Sequence, residues 1–437
     1  QVRAIAQSRP VGDGPGQTYL NYVVPRKYGD SGGFQPGSTF KAFVLAAAIE
    51  QGIPLNTQIN SPEQIEVAQS SFEVCGGQNY QSTDTYEVGN STSSGTFDLY
   101  QGTQLSVNTF FIQLAQRTGL CQPYRLAKKM GVRLTDKNSE MVPSFPLGVA
   151  SVSPLEMAEA YATFAARGQH CASRPVTSIE DANGNVLKQY PAKCRQVLKA
   201  STADAVSDIL RGVIEPGGFA QAEALDSPAA GKTGTTQNGR SVWFVGYTPE
   251  MAAAAMIAGA NQAGTPITLT GQTVGGRYVS SASGSGYAGP IWGDAMKAVD
   301  DQLPDTGFTA PDATVVNGVT VSLPSVSGMT LEGATQVLEE AGFGVSNGGY
   351  VNSSYSSGTV AYSSPSGSAP SGSQITLYLS NGTPAPPPPP PSNNNGGGGN
   401  GGGGGNGGGG GNGGGGGGGN GGGGNGGGGN GGGGGNG

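Results

Sequence analysis

The chain has 437 residues, 81 of them glycine, with 22 basic and 29 acidic side chains and a net charge of −7. This acidic balance excludes the broad basic surface that nucleic-acid binding draws on, and the longest apolar stretch, Met251 to Ala260, is about half a membrane span. From position 393 onward 45 residues are only Asn and Gly, and the 382 residues ahead of position 383 are enough for one large domain and a small one.

The first residues, Val2 to Ser8, read as a strand. Ser38 to Gln51 reads as a helix that is apolar almost all round and therefore buried. Thr109 to Thr118 and Pro154 to Ala166 are further helices, the second with Ser153 as N-cap ahead of a proline at its first position. Val176 to Ile179 and Val186-Leu187 form a hairpin turning on Asn183-Gly184. Ala203 to Ile214 is an amphipathic helix. Strand patterns follow at Gly231 to Thr235, Ser241 to Tyr247 and Met251 to Ala258, the last against its own helix propensity. Pro304 to Val321 reads as a linker. A compact unit from Leu323 to Leu379 then carries a helix, Leu331 to Ala341, stopped by Gly342. Its strands lie near Thr359 to Tyr362 and Gln374 to Leu379. Pro386 to Pro391 is expected in polyproline II, and the Gly/Asn tail is expected not to fold.

Cys75, Cys121, Cys171 and Cys194 lack CxxC spacing, and a single histidine, His170, argues against a zinc site. Two disulfides in an oxidising compartment or four buried thiols remain, with the disulfides favoured. Cys171 and Cys194 flank the hairpin and would meet across its base, and elimination pairs Cys75 with Cys121.

The lone histidine also constrains catalysis. Any Ser-His or Cys-His mechanism would have to run through His170, which the sequence reads as a surface or satisfied residue at the hairpin base. A nucleophile here therefore needs another base, and lysine is the known substitute. Of ten lysines only Lys41 follows a serine by three residues, in Ser38-Thr39-Phe40-Lys41. Three apart on a helix, the two side chains share a face. The helix N-terminus favours a developing alkoxide at Ser38, and burial would leave Lys41 a neutral amine able to take a proton. Alone, the tetrad is better read as a capped helix with a surface lysine. Ser106-Val107-Asn108, in a polar loop before a helix, and the strand pattern Lys232-Thr233-Gly234-Thr235 change that balance. A strand with glycine lets a substrate backbone approach as an added strand. The rival reading of Gly231-Lys232-Thr233, a nucleotide P-loop, fails because Asp226 holds the first glycine position and Pro228 sits inside the loop.

In this order, Ser-x-x-Lys, Ser-x-Asn and Lys-Thr-Gly-Thr resemble the motif set of penicillin-binding proteins and serine β-lactamases. Gly33 to Lys41, Val152 to Ala158, Gly231 to Thr236, Trp243 to Pro249 and Gly289-Pro290-Ile291-Trp292 narrow the resemblance to the transpeptidase domain of class A, bifunctional, penicillin-binding proteins. Leu323 to Met329, a following helix and Gly358-Thr359-Val360 resemble a single PASTA domain. One departure is Ser241, at a position often acidic in relatives, which the sequence alone does not explain.

The resemblance implies an α/β, β-lactamase/transpeptidase-like fold, an antiparallel sheet flanked by helices with an all-helical part, followed by a small α+β domain and a disordered tail. It divides the chain into a transpeptidase domain at 1–303, a linker at 304–321, a PASTA domain at 322–382 and the tail at 383–437. It makes Ser38 the acylated nucleophile, Lys41 its base, Ser106 the proton relay, Asn108 a holder of the substrate amide and Lys232 a source of positive potential. Thr233, Gly234 and Thr235 would bind the donor carboxylate, and the backbone N–H groups of Ser38 and Thr235 would form the oxyanion hole. The implied reaction is D,D-transpeptidation of peptidoglycan stem peptides, with a D-Ala-D-Ala donor, an amine acceptor and β-lactams as inhibitors. No cofactor or metal is implied. The alternatives are a D,D-carboxypeptidase or β-lactamase, in which water accepts the acyl group, or a sensor acylated once. Such proteins carry a glycosyltransferase domain and membrane anchor ahead of this one, so the expected setting is the extracytoplasmic face of the bacterial cell membrane. Nothing in this sequence resembles either segment. The PASTA-like unit is expected to act as a spacer or weak cell-wall contact.

Overall fold

The computed structural model describes residues 1–260, 266–370 and 373–384; the expected polyproline run and Gly/Asn tail lie outside them. At its centre is an antiparallel sheet in the order Ala230–Thr235, Ser241–Tyr247, Ala252–Ala260 and Pro266–Ile267. Every residue of Ser241–Tyr247 is buried. Because side chains alternate along a strand, Trp243, Val245 and Tyr247 enter one core while Val242 and Phe244 enter another. The first core is filled by helices, and the second lies under the helix Gly289–Asp300, whose Trp292 packs on Phe244. Gly246 is needed there, because an added methyl would sit 2.7 Å from the Trp292 ring.

The helix Lys41–Glu50 is buried from Lys41 to Ile49 and packs against Asn108–Thr118, Cys121–Lys129 and Ala200–Arg211. The expected helix from Ser38 is split, since Gly37–Phe40 forms a tighter 3-10 turn that leads into it. The helices expected at 109–118, 154–166 and 203–214 appear as Asn108–Thr118, Pro154–Ala165 and Ala200–Arg211. Ser153 caps Pro154–Ala165 in a reciprocal box: Glu156 N–H donates to Ser153 Oγ, and Ser153 N–H donates to Glu156 Oε2 at 2.8 Å.

The alanine-rich segment is a strand despite its helix propensity. It pairs with the central strand from Tyr247↔Ala252 to Ser241↔Ala258, and tertiary pairing outweighs a local preference worth tenths of a kcal/mol per residue. Val2 to Ser8 corrects the opposite way. Among the described residues its backbone makes one hydrogen bond, Val2 N–H to Arg174 O, and with no partner strand its pattern does not become sheet.

The hairpin forms from Ser178–Glu180 and Val186–Gln189, with Gly184 at φ +81°. Below it Cys171 and Cys194 sit directly opposite in a strand pair and are disulfide-bonded, and Cys75 is bonded to Cys121. His170 is buried and pairs with Glu159 Oε1 at 2.7 Å.

The segment expected as a linker does more than span. Phe308 packs edge-on to Tyr247, and a short helix, Ala313–Asn317, accepts the N–H groups of Leu55 and Asn56 at 3.3 Å. Its apolar residues cover part of the large core. Thr320–Ser322 then pairs with Ser368–Pro370. The last unit has the helix Leu331–Glu340, ended by Gly342 at φ +84°, and a sheet ordered Gly344–Val351, Gln374–Ser380, Val360–Ser364. The first of these strands is additional to the two expected, and its Gly348 lies against the Tyr378 ring, where a side chain would collide.

The capping box makes a quantitative expectation. Ser153→Ala should cost about 1 kcal/mol of unfolding free energy. Glu156→Ala should cost about 2–3 kcal/mol, because it also removes the acceptor of Arg133 N–H. Urea denaturation of both variants checks the order, and equal losses would contradict it.

Candidate active site

The turn carrying Ser38 is held from several directions. Phe34 exchanges backbone hydrogen bonds with Val152 at 2.9 and 3.0 Å. Tyr161 Oη donates to Thr39 O at 2.7 Å, and Thr39 Oγ1 donates to Pro36 O at 3.0 Å. Gly37 adopts φ +59°, and a methyl there would lie 2.7 Å from Thr235 O. Gly234 answers it, since a methyl on Gly234 would collide with Pro36 O. Two glycines thus let the turn that carries Ser38 lie directly on the strand Ala230–Thr235. Ser38 itself is half-buried, and among the described residues its Oγ makes no hydrogen bond.

Lys41, Ser106, Asn108 and Lys232 converge. Ser106 has a left-handed backbone, φ +55°, uncommon for a residue with a side chain. This turn presents both its carbonyl and its hydroxyl to Lys41. Lys41 Nζ lies 2.6 Å from Ser106 O, 2.7 Å from Asn108 Oδ1 and 3.3 Å from Ser106 Oγ. Lys232 Nζ approaches the same Oγ from another side at 2.8 Å and donates to Thr233 O at 3.2 Å. Both lysines are fully buried, and among the described residues neither meets a carboxylate. Burial, and then the neighbouring Lys232 charge, hold the Lys41 ammonium well below the usual lysine range. Burial brings Lys232 down to about 7. A neutral Lys41 has two N–H donors, matching its two short bonds, and keeps a lone pair to receive a proton.

The shared helix face of Ser38 and Lys41 does not produce a direct bond between them among the described residues. Ser38 belongs to the 3-10 turn, and the amine is directed to Ser106 and Asn108 instead.

Thr233 and Thr235, two residues apart, share one face of their strand, with Thr235 exposed and Thr233 half-buried. That strand pairs with Ser241–Tyr247 on one edge, and among the described residues no strand occupies its other edge. Thr235 Oγ1 accepts Gly284 N–H at 3.2 Å. Among the described residues no group of three or more His, Cys, Asp or Glu could hold a metal. Sequence reading missed what Ser241 and Trp243 do: both donate to Gln35 O, at 2.7 and 2.9 Å. The signal available was two donors at alternate positions in an otherwise apolar strand.

Comparison with known proteins agrees with this architecture. The family described as penicillin binding protein transpeptidase domain matches residues 27–282, and the PASTA domain family matches residues 321–381. Penicillin-binding protein 1A of Aquifex aeolicus is 30% identical over 308 residues, which cover 70% of this chain and 38% of the relative. That of Neisseria lactamica is 28% identical over 291 residues, covering 64% of this chain and 33% of the relative. The chain thus spans between a third and two-fifths of the length of these relatives. The penicillin-binding protein PonA1 of Mycobacterium tuberculosis superimposes with a TM-score of 0.52 at 25% identity, covering 67% of this chain and 76% of that one. Penicillin-binding protein 1A of Haemophilus influenzae shares the fold, with a TM-score of 0.51 at 20% identity over 66% of this chain and 44% of that one. The fold is the β-lactamase-like one of transpeptidase domains, and the chain belongs to the penicillin-binding protein transpeptidase family and carries a PASTA domain.

Proposed function

We propose that this protein is a serine D,D-transpeptidase that cross-links peptidoglycan stem peptides through a Ser38 acyl-enzyme and is acylated by β-lactams. The observation that carries this reading is the Ser106 hydroxyl, bonded to Lys232 and facing the buried Lys41 amine, with no carboxylate at either lysine among the described residues. Such a site passes protons without histidine.

In the first step Ser38 Oγ attacks the carbonyl between the two terminal D-Ala residues while its proton passes to the Lys41 amine. The tetrahedral oxyanion is held by the N–H groups of Ser38 and Thr235. Collapse breaks the amide bond, a proton reaches the leaving nitrogen through Ser106, and D-Ala departs. The amine of a neighbouring stem peptide then attacks the ester; the new C–N bond forms as the C–Oγ bond breaks, and a proton from the amine returns Ser38 to its hydroxyl form. The donor carboxylate is bound by Thr233 and Thr235 beside Gly234 under the positive potential of Lys232. Asn108 gives one oxygen lone pair to Lys41 and one N–H to Gly89 O at 2.9 Å, which leaves one of each for the substrate amide. The open strand edge receives the donor backbone as an added strand. Two disulfides fit an oxidising, extracytoplasmic setting. The domain limits proposed are 1–303, 304–321 and 322–382, with residues 304–321 packed on the first domain.

Intact mass after incubation with penicillin should show one stable adduct on the parent chain and none on Ser38→Ala. A transient adduct with released, hydrolysed penicillin would replace the transpeptidase reading with a β-lactamase.

The pH dependence has a defined sign. Lys232, with its pKa lowered to about 7, is charged below that pH and neutral above it. The second-order acylation rate for an anionic penicillin should therefore fall as pH rises through about 7, because this constant reports the free enzyme. Lys232→Arg, which stays charged, should remove that falling limb. A flat wild-type profile between about pH 6 and 9 would argue against the assignment.

A further inference from the structure

The site described above needs the turn that carries Ser38 to keep one position relative to the strand that ends in Thr235. No covalent link does this, and the two glycines at the contact only permit close approach. Of the contacts that hold the turn, the one to the central strand runs through the carbonyl of Gln35, three residues before Ser38. It accepts hydrogen bonds from Ser241 Oγ at 2.7 Å and Trp243 Nε1 at 2.9 Å. Ser241 and Trp243 stand on the same face of the central strand, the neighbour of the strand Ala230–Thr235. Ser241 is itself locked in place: its N–H donates to Thr236 Oγ1 at 2.8 Å, and Thr236 N–H donates to Ser241 O at 3.0 Å. Its hydroxyl is buried, so water does not replace the bond to Gln35 if it is lost.

We infer that Ser241 is a positioning residue for acyl transfer, which acts with Trp243 through the Gln35 carbonyl to hold the Ser38 turn against the strand Ala230–Thr235. The inference rests on the acyl-enzyme reading above. It places Ser241 away from the reacting atoms but in control of how the Ser38 and Thr235 N–H groups converge. Losing one of two donors frees the turn on one side while leaving the lysines, Ser106 and the carboxylate-binding threonines in place. Both acylation and deacylation pass through an oxyanion, so both should slow together, whereas initial binding should not change.

The test is stopped-flow acylation of the full chain by a chromogenic cephalosporin, with deacylation followed on the isolated adduct. For Ser241→Ala the limiting acylation rate should fall roughly tenfold, below the ~10²-fold that a 1 Å misplacement can cost, and deacylation should fall in parallel. The dissociation constant of the first complex should stay within about twofold, and Ser241→Thr, which restores the hydroxyl, should recover most of the rate. Should Ser241→Ala fail to fold, Trp243→Phe removes the other donor, keeps an aromatic ring, and should show the same split. Acylation unchanged in a folded variant, or a fall in acylation without one in deacylation, would overturn this inference alone. A parent chain that forms no adduct would overturn the acyl-enzyme reading and this inference with it.

Discussion

Two lysine amines buried beside one serine hydroxyl, with no carboxylate among the described residues to balance them, are the constraint around which this domain is arranged. An ammonium without a counter-ion is costly to bury, so burial lowers both amines from the usual lysine range, Lys232 to about 7, and Lys41 well below that range with the Lys232 charge adding to the effect. Neutral amines still require acceptors. Ser106 O and Asn108 Oδ1 supply them for Lys41, at the expense of a left-handed backbone at Ser106. The Phe111 ring lies 5.5 Å from Lys41 Nζ and adds a face that tolerates residual positive charge.

The rest of the fold keeps those amines dry and in register. Lys41 begins a helix buried through Ile49, so its side chain leaves the backbone inside the protein. Lys232 stands on a strand braced by a neighbour that is buried on both faces. The Ser38 turn meets that strand through Gly37 and Gly234, where any side chain would force the elements apart. Small residues bring the parts together, and Ser241, Trp243 and Tyr161 hold them there. The segment that leads to the PASTA domain contributes as well, since Phe308 and the helix Ala313–Asn317 pack on the large core.

The site was legible in the sequence to an unusual degree because its chemistry depends on residue types at short spacings. A single histidine removed the usual bases, and Ser38-x-x-Lys41, Ser106-x-Asn108 and Lys232-Thr233-Gly234-Thr235 named the groups that the fold brings together. Helices with strong local signals were equally readable, such as Pro154–Ala165 behind its Ser153 cap. Elements whose state depends on a distant partner were not. Ala252–Ala260 is a strand because Ser241–Tyr247 lies beside it, and Val2 to Ser8 is not one because no strand among the described residues does. Residues 304–321 read as linker because their few apolar side chains show no period, yet those side chains have a core to cover.

The sequence by itself determined the family resemblance and the candidate residues of the site, since these follow from which side chains exist and how closely they are spaced. Only the tertiary structure decided that Lys41 is directed to Ser106 and Asn108 rather than to Ser38. It alone joined Ser241 to Gln35, 206 positions apart, and set two amines on one hydroxyl. Contacts of that range depend on how helices and sheet pack, a property that local spacing does not encode.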